Sequence, residues 1–237
     1  MKKIKLAIVA FVAITLCSCS KVIVGSDEIT IVDRDVEDYT ALSVEGGLDV
    51  VVTNTEKGSV SVRTNENVHQ YIETEISGGT LVVRPKSGVS FRDVTIEISL
   101  SGEGISSIKA TGGSSVDIKR STVIESMDIV LSGGSDLSGV LDVKRIIAEI
   151  SGGSDLKLNG ERADYIELES EGGSDATIFI EAVDMSIKAS GGSDAYVWVS
   201  NNLDVVASGG CSVFYKGSGE IKDIDISGGS NIEKRNW

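Results

Sequence analysis

Four aspartates recur at near-constant spacing, Asp136, Asp155, Asp175 and Asp194, each closing a Gly-Gly-Ser-Asp tetrapeptide. A carboxylate repeated at one place in successive turns of a regular chain forms an acidic ladder. Like charges about 5 Å apart repel, so such carboxylates either splay into water or share a bridging cation. Calcium is the ion that oxygen ligands of this kind would take. The motif, however, is not the Gly-Gly-x-Gly-x-Asp nonapeptide of calcium-binding β-rolls. The structural alternative is that Ser and Asp stack on their counterparts, with hydroxyls donating to a neighbouring carboxylate or carbonyl. The regularity of the motif favours that scaffold role, and the sequence calls for no cofactor.

Other reactive groups are sparse. His69, in Glu66-Asn67-Val68-His69-Gln70-Tyr71, is the only histidine. No second histidine or paired cysteine joins it in a metal site, and it reads as a loop residue rather than a base. There is no Gly-x-Ser-x-Gly elbow, phosphate-binding loop or dinucleotide fingerprint. Arg145 and Arg162, the cations nearest the aspartate motifs, fall in different parts of their repeats.

The elements that position these residues follow from the glycines. From Gly112 to Gly228 the first glycines of successive Gly-Gly pairs are spaced 18 to 21 residues apart. Such a period marks a solenoid, in which each copy is one coil stacked on the last. Two residues before each pair lie Val44, Ile76, Ala110, Leu131, Ile150, Ser170, Ala189, Ala207 and Ile226. Four before lie Leu42, Thr74, Ile108, Ile129, Ala148, Leu168, Ile187, Val205 and Ile224. The residue directly before is always polar. After the glycines, Val116, Leu137, Leu156, Ala176, Ala195, Val213 and Ile232 supply another apolar column. Period-2 alternation held in register over nine pairs, with no helical period, specifies a parallel β-helix. Eight to ten coils would make a rod of roughly 40–50 Å at about 4.8 Å per strand.

Gly pairs suit the corners because glycine takes positive φ without penalty. The intervals from Gly46 to Gly78 and from Gly78 to Gly112 are 32 and 34 residues. Each holds either two coils with an unmarked corner or one coil plus a hairpin. Pro85 in the second interval favours a loop. The closing Glu233-Lys234-Arg235-Asn236-Trp237 reads as a cap on the last coil.

Alternation also points Tyr196, Trp198 and Phe214 outward together, with Phe179 one coil earlier. An exposed aromatic column marks an interface, either between copies of the chain or with a glycan.

Residues 1–18 read as a signal peptide: a lysine-bearing start followed by the apolar stretch Leu6 to Leu16. Leu16-Cys17-Ser18-Cys19 resembles a bacterial lipobox, which implies cleavage before Cys19 and lipidation of its sulfur. Residues 19–38 then form a tether with an edge strand covering the first coil, and residues 39–237 the β-helix. Cys211 is left alone, so no intrachain disulfide is expected. The formal charge of −14 moves to about −17 once Lys2, Lys3 and Lys5 are removed. That excludes a phosphate-neutralising surface for nucleic acid and leaves lipid, rather than charge, to hold the chain at a membrane.

From about Tyr39 to Lys234 the chain resembles the autotransporter-adhesin head GIN domain family of envelope lipoproteins. The likeness is carried by Leu42-Ser43-Val44-Glu45-Gly46-Gly47-Leu48-Asp49-Val50-Val51-Val52 and Val60-Ser61-Val62-Arg63-Thr64-Asn65-Glu66-Asn67. Gly79-Thr80-Leu81-Val82-Val83, Val213-Phe214-Tyr215-Lys216-Gly217 and Ile226-Ser227-Gly228-Gly229-Ser230 extend it. Where that family shows Gly-Ile-Asn, this chain has Gly47-Leu48-Asp49. The resemblance implies a right-handed parallel β-helix in the cell envelope and supplies no catalytic residues.

The expected function is non-enzymatic: a lipid-anchored adhesin-like β-helix, at the outer membrane with its face unassigned, that binds a glycan or protein surface or its own copies. The alternatives are a polysaccharide lyase or hydrolase and a periplasmic structural or regulatory module. A lyase or hydrolase would need carboxylates about 5–9 Å apart beside a base. A catalytic site would also interrupt the repeat, whereas the aspartates continue it.

Overall fold

The computed structural model describes residues 21–53, 58–102, 104–119 and 123–237. The expected signal peptide and the expected lipidation site Cys19 lie outside the described residues. The first part holds β1 (Lys21–Val24), β2 (Ile29–Asp35), β3 (Ala41–Glu45), β4 (Asp49–Thr53) and β5 (Ser59–Asn65). A 3-10 turn at Glu66–Tyr71 leads to β6 (Ile72–Ser77), β7 (Thr80–Pro85), β8 (Val89–Arg92) and β9 (Ile96–Ser101). The repeat region holds β10 (Ser107–Thr111), β11 (Ser115–Ile118), β12 (Val123–Ser132), β13 (Asp136–Val140) and β14 (Asp142–Ile150). It continues through β15 (Asp155–Ser170), β16 (Asp175–Ser190), β17 (Asp194–Ser208), β18 (Ser212–Lys216), β19 (Glu220–Ile226) and β20 (Asn231–Lys234). No helix among the described residues is long and apolar enough to cross a membrane.

The chain is a parallel β-solenoid of about seven turns. One wall stacks β3, β10, β12, β14 and the later half of β15 in parallel. The other stacks β4, β11, β13 and the first half of β15. The long strands β15, β16 and β17 bend through both walls. In β16, Ala176, Ile178, Ile180, Ala182, Met185, Ile187 and Ala189 point inward. Their alternation slips phase once, at Val183 and Asp184, where the coil turns. Ser170 stands in an inward column yet is fully buried, because its hydroxyl donates to the carbonyl of Ser174 at 3.0 Å.

The corner explains the repeat. Both glycines of each pair have positive φ, for example +67° at Gly133 and +76° at Gly134. Two successive positive φ values are the pattern of a type I′ turn. The first glycine also lies against the previous corner: a Cβ on Gly152 would sit 3.0 Å from the amide nitrogen of Gly133. The second glycine meets nothing within 4 Å at Gly153, so only its φ demands glycine there. The following serine is buried and the aspartate after it faces outward. Sequence pattern, turn type and stacking distance thus select one motif.

The interval between Gly46 and Gly112 is resolved in favour of hairpins. β6 and β7 pair antiparallel across Gly78-Gly79, so that pair closes a hairpin rather than a coil corner. Ile76 and Thr74 consequently leave the inward columns and are only partly buried. β5 pairs antiparallel with both β2 and β9. With this stretch taken up by hairpins, the solenoid has fewer turns than the eight to ten its length suggests. β2 is an edge strand, but it adjoins β5; the strands directly on the first coil are β7 and β9.

Two further departures occur at the other end. Ile224 and Ile226 keep their register opposite Val205 and Ala207 but are exposed. The terminal residues do not cap them. Beyond β20 the tail turns back along the outer wall and brings Trp237 to within 6.4 Å of Phe179, between ring centroids.

Candidate binding site

The outward aromatics gather on the wall formed by β16, β17 and β18. Tyr196 and Phe214 are register partners, and their rings stack at 4.9 Å with an interplanar angle of 28°. Trp237 meets Tyr196 edge-on at 6.0 Å. Phe179 joins through Trp237, from the irregular stretch of β16 where the register with β17 shifts between Ile178 and Glu181. Trp198 stands opposite Lys216, whose ammonium lies 4.5 Å from its ring centroid. The same ammonium lies 5.1 Å from Phe179 and 5.9 Å from Trp237, so one cation is shared among three rings. Each such contact is worth about 0.5–1 kcal/mol at an exposed site. Together they hold the tail against the wall.

Alternation thus assigns Tyr196, Trp198 and Phe214 to one outer face, and the structure brings them together there. It also changes what they offer. Phe214 is buried, because Arg235 lies 3.8 Å above its ring and Tyr196 beside it. The surface that remains is a recess of 560 Å³ between Tyr196, Phe179, Trp237 and the polar groups of Glu233, Arg235 and Asn236. Arg235 donates to Glu233 at 2.8 Å and holds its carboxyl below the ordinary value. Lys216 and Trp237 escape sequence reasoning because the tail's path is a long-range contact. The one signal for it is a tryptophan and two cations beyond the last repeat.

The aspartates form the ladder their spacing predicts. Asp136, Asp155, Asp175 and Asp194 are successive register partners, continued by Ser212 and Asn231. Asp155 approaches Lys157 at 3.7 Å, and a carboxylate oxygen of Asp175 accepts the Asp194 amide at 3.3 Å. Among the described residues no three carboxylate, histidine or cysteine groups are clustered closely enough to hold a metal ion. Cys211 is buried and takes the corner serine's place, its thiol donating to the carbonyl of Ser208 at 3.1 Å.

His69 sits in the 3-10 turn with its Nε2 2.9 Å from the Thr30 hydroxyl. Its buried Nδ1 has no partner, and desolvation, the largest cause, lowers its pKa. Arg145 covers the Tyr165 ring at 4.5 Å, while Arg162 stands opposite Glu181. Neither comes near the aspartate column's register. A second recess, of 690 Å³, is bordered by Glu45, Glu73, Arg84 and Lys86. There Arg84 bridges Glu73 at 3.0 Å and Glu75 at 2.9 Å across the β6–β7 hairpin.

Solved structures share this architecture. A "putative adhesin" from Bacteroides fragilis aligns with a TM-score of 0.79 at 19% identity, covering 90% of this chain and 100% of its own. A "putative adhesin" from Parabacteroides distasonis aligns at 0.68 and 20% identity, covering 91% and 100%. A "Putative lipid binding protein" from the same species aligns at 0.65 and 21%, again covering 91% and 100%. At these identities the likeness is one of fold. No curated protein matches. The family model described as "Putative auto-transporter adhesin, head GIN domain" matches residues 38–219, most of the described solenoid, and the chain belongs to that family.

Proposed function

We propose that this chain is a non-enzymatic binding module of the cell envelope, anchored by lipid on Cys19, that holds a surface glycan in the recess beside Trp237. The observation that carries the reading is the aromatic wall itself. Tyr196, Phe179 and Trp237 present ring faces and edges around an open recess, with Glu233, Arg235 and Asn236 at its rim. Apolar ring faces flanked by a few placed polar groups suit a pyranose, which has an apolar face and a polar periphery. The family's adhesin name agrees with a surface role. The test is a glycan array with the Ser20–Trp237 protein. Binding should appear and fall about tenfold on Trp237→Ala or Tyr196→Ala, the scale of one lost aromatic contact. No glycan binding, or binding indifferent to both changes, overturns the reading.

Glycan cleavage is favoured by one observation, the carboxylates of Glu73 and Glu75 paired with Arg84, of which Glu73 and Arg84 border the second recess. Arg84 instead ties both carboxylates into ion pairs that raise its own pKa, the Glu73 hydrogen bond most, so the trio acts as a clasp on the hairpin. Release of new reducing ends from a polysaccharide, abolished by Glu73→Gln, would reverse that judgement.

A further inference from the structure

Among the described residues the last coil of the solenoid has an open outer edge. β19 pairs with β17 and β20 with β18, and no described strand lies on the outer edge of either. Ile224 and Ile226 continue the inward columns of Val205 and Ala207, yet they are 50% and 36% exposed because no described coil stacks on them. Ile232 continues the column of Val213 on the other wall and is only partly buried. The tail leaves this end uncovered, since Trp237 lies back beside Phe179 and Tyr196. An open edge with apolar columns behind it is a template for another chain.

The charges at this end are divided between the two walls. β19 carries Glu220, Asp223 and Asp225 against Lys222, whereas Asn231 to Arg235 carries Lys234 and Arg235 against Glu233. We propose that two copies of this chain meet end to end here, about a two-fold axis across the rod that lays β19 of each copy along β20 of the other. β19 runs towards the Gly228-Gly229 corner and β20 away from it, so this two-fold makes the new strand pairs antiparallel. It closes four open edges at once, continues the apolar columns through the junction, and sets the acidic wall against the basic one. β19 against β19 would face carboxylates with carboxylates. A single strand from another protein would close one edge and leave the second open. The inference does not rest on the glycan reading; the two share Arg235, which also stands at the rim of the recess, whereas the isoleucine changes and the β19 changes lie outside it.

Sedimentation equilibrium of the Ser20–Trp237 protein tests it. The expected result is a dimer whose dissociation constant rises at least tenfold towards an ionic strength of about 1 M, where screening acts within about 3 Å. Ile224→Arg with Ile226→Arg, at exposed positions, should give a folded monomer, while Trp237→Ala should leave the dimer intact. Asp223→Lys with Asp225→Lys, and separately Lys234→Glu with Arg235→Glu, should each be monomeric alone and form a mixed dimer when combined. A monomer at all concentrations, or a dimer that survives the isoleucine changes, overturns the proposal. A mixture that stays monomeric overturns the pairing of β19 with β20.

Discussion

The backbone amide of Ser154 donates to the hydroxyl of Ser174, one coil further on, at 3.1 Å, and that hydroxyl donates to the carbonyl of Glu171 at 2.8 Å. The same double role recurs at Ser114, Ser135 and Ser154. A buried line of hydroxyls therefore ties each corner to its neighbour while satisfying its own turn. Ser174→Ala removes an acceptor and a donor from a dry site and should cost about 1–3 kcal/mol. Ser174→Cys should cost less, since Cys211 already fills the equivalent place and reaches the Ser208 carbonyl. Urea unfolding of the two variants distinguishes them; equal losses would mean the hydroxyl is not acting through these bonds.

The two glycines of a corner should differ in what they tolerate. Gly152 and Gly153 have φ of +69° and +74°, so an asparagine meets nearly the same conformational cost at each. Only at Gly152 does a Cβ press on the previous corner, 3.0 Å from an amide nitrogen. Gly153→Asn should lose about 1 kcal/mol or less, in line with asparagine's tolerance of positive φ. Gly152→Asn should lose more, and a thermal melt of each reads the difference. Equal stability would show that the backbone relaxes freely at the contact.

Asp155→Asn combined with Asp175→Asn should leave stability unchanged or slightly raised. The change removes two like charges in register. The amide side chain introduced by Asp175→Asn keeps an oxygen to accept the Asp194 backbone N–H, a bond that the Asp175 carboxylate makes at 3.3 Å. Added calcium should not move the melting temperature of the unaltered protein. A calcium-dependent rise, lost in the double variant, would reveal a bridging ion on the ladder.

His69 supplies a pH-dependent contribution with a definite sign. Burial, supported by the charge of Arg34, holds its pKa below the ordinary 6.5. The unfolded chain therefore takes up a proton before the folded one does. The stabilisation is complete above pH 6.5 and is lost as pH falls through the lower folded value. An imidazole NMR titration should place the midpoint below 6.5, with amide exchange around β2 and the 3-10 turn quickening in acid. A midpoint at or above 6.5 would show that the Thr30 contact, which favours the charged form, outweighs burial.

The coils were legible because each inward residue is declared locally. Leu131, Ile129 and Leu137 follow from alternation around Gly133-Gly134, and all three are fully buried. Gly78-Gly79 misleads for a physical reason. A two-glycine turn serves a hairpin as well as a corner, and what differs is the partner of the following strand. Thr80–Pro85 finds β6 antiparallel on one side and β3 parallel on the other. The terminal coil misleads in the opposite sense: Ile224 and Ile226 obey the pattern, but burial requires a neighbour that the pattern does not name. For the binding wall, Tyr196, Trp198 and Phe214 were readable from strand parity alone. Trp237 was not, because its contact with Phe179 spans 58 residues of chain and follows no period.

The identical corners have a consequence for how the molecule can change length. From the Gly46 corner to the Gly172 corner each junction meets the next through the same glycine contact and the same serine hydroxyl, so a whole coil there is an interchangeable unit. Duplicating or deleting residues 152–171 would rejoin like to like and alter the rod by one strand spacing, about 4.8 Å. Reach is thus set by copy number, while the terminal wall with its aromatic recess is left unchanged.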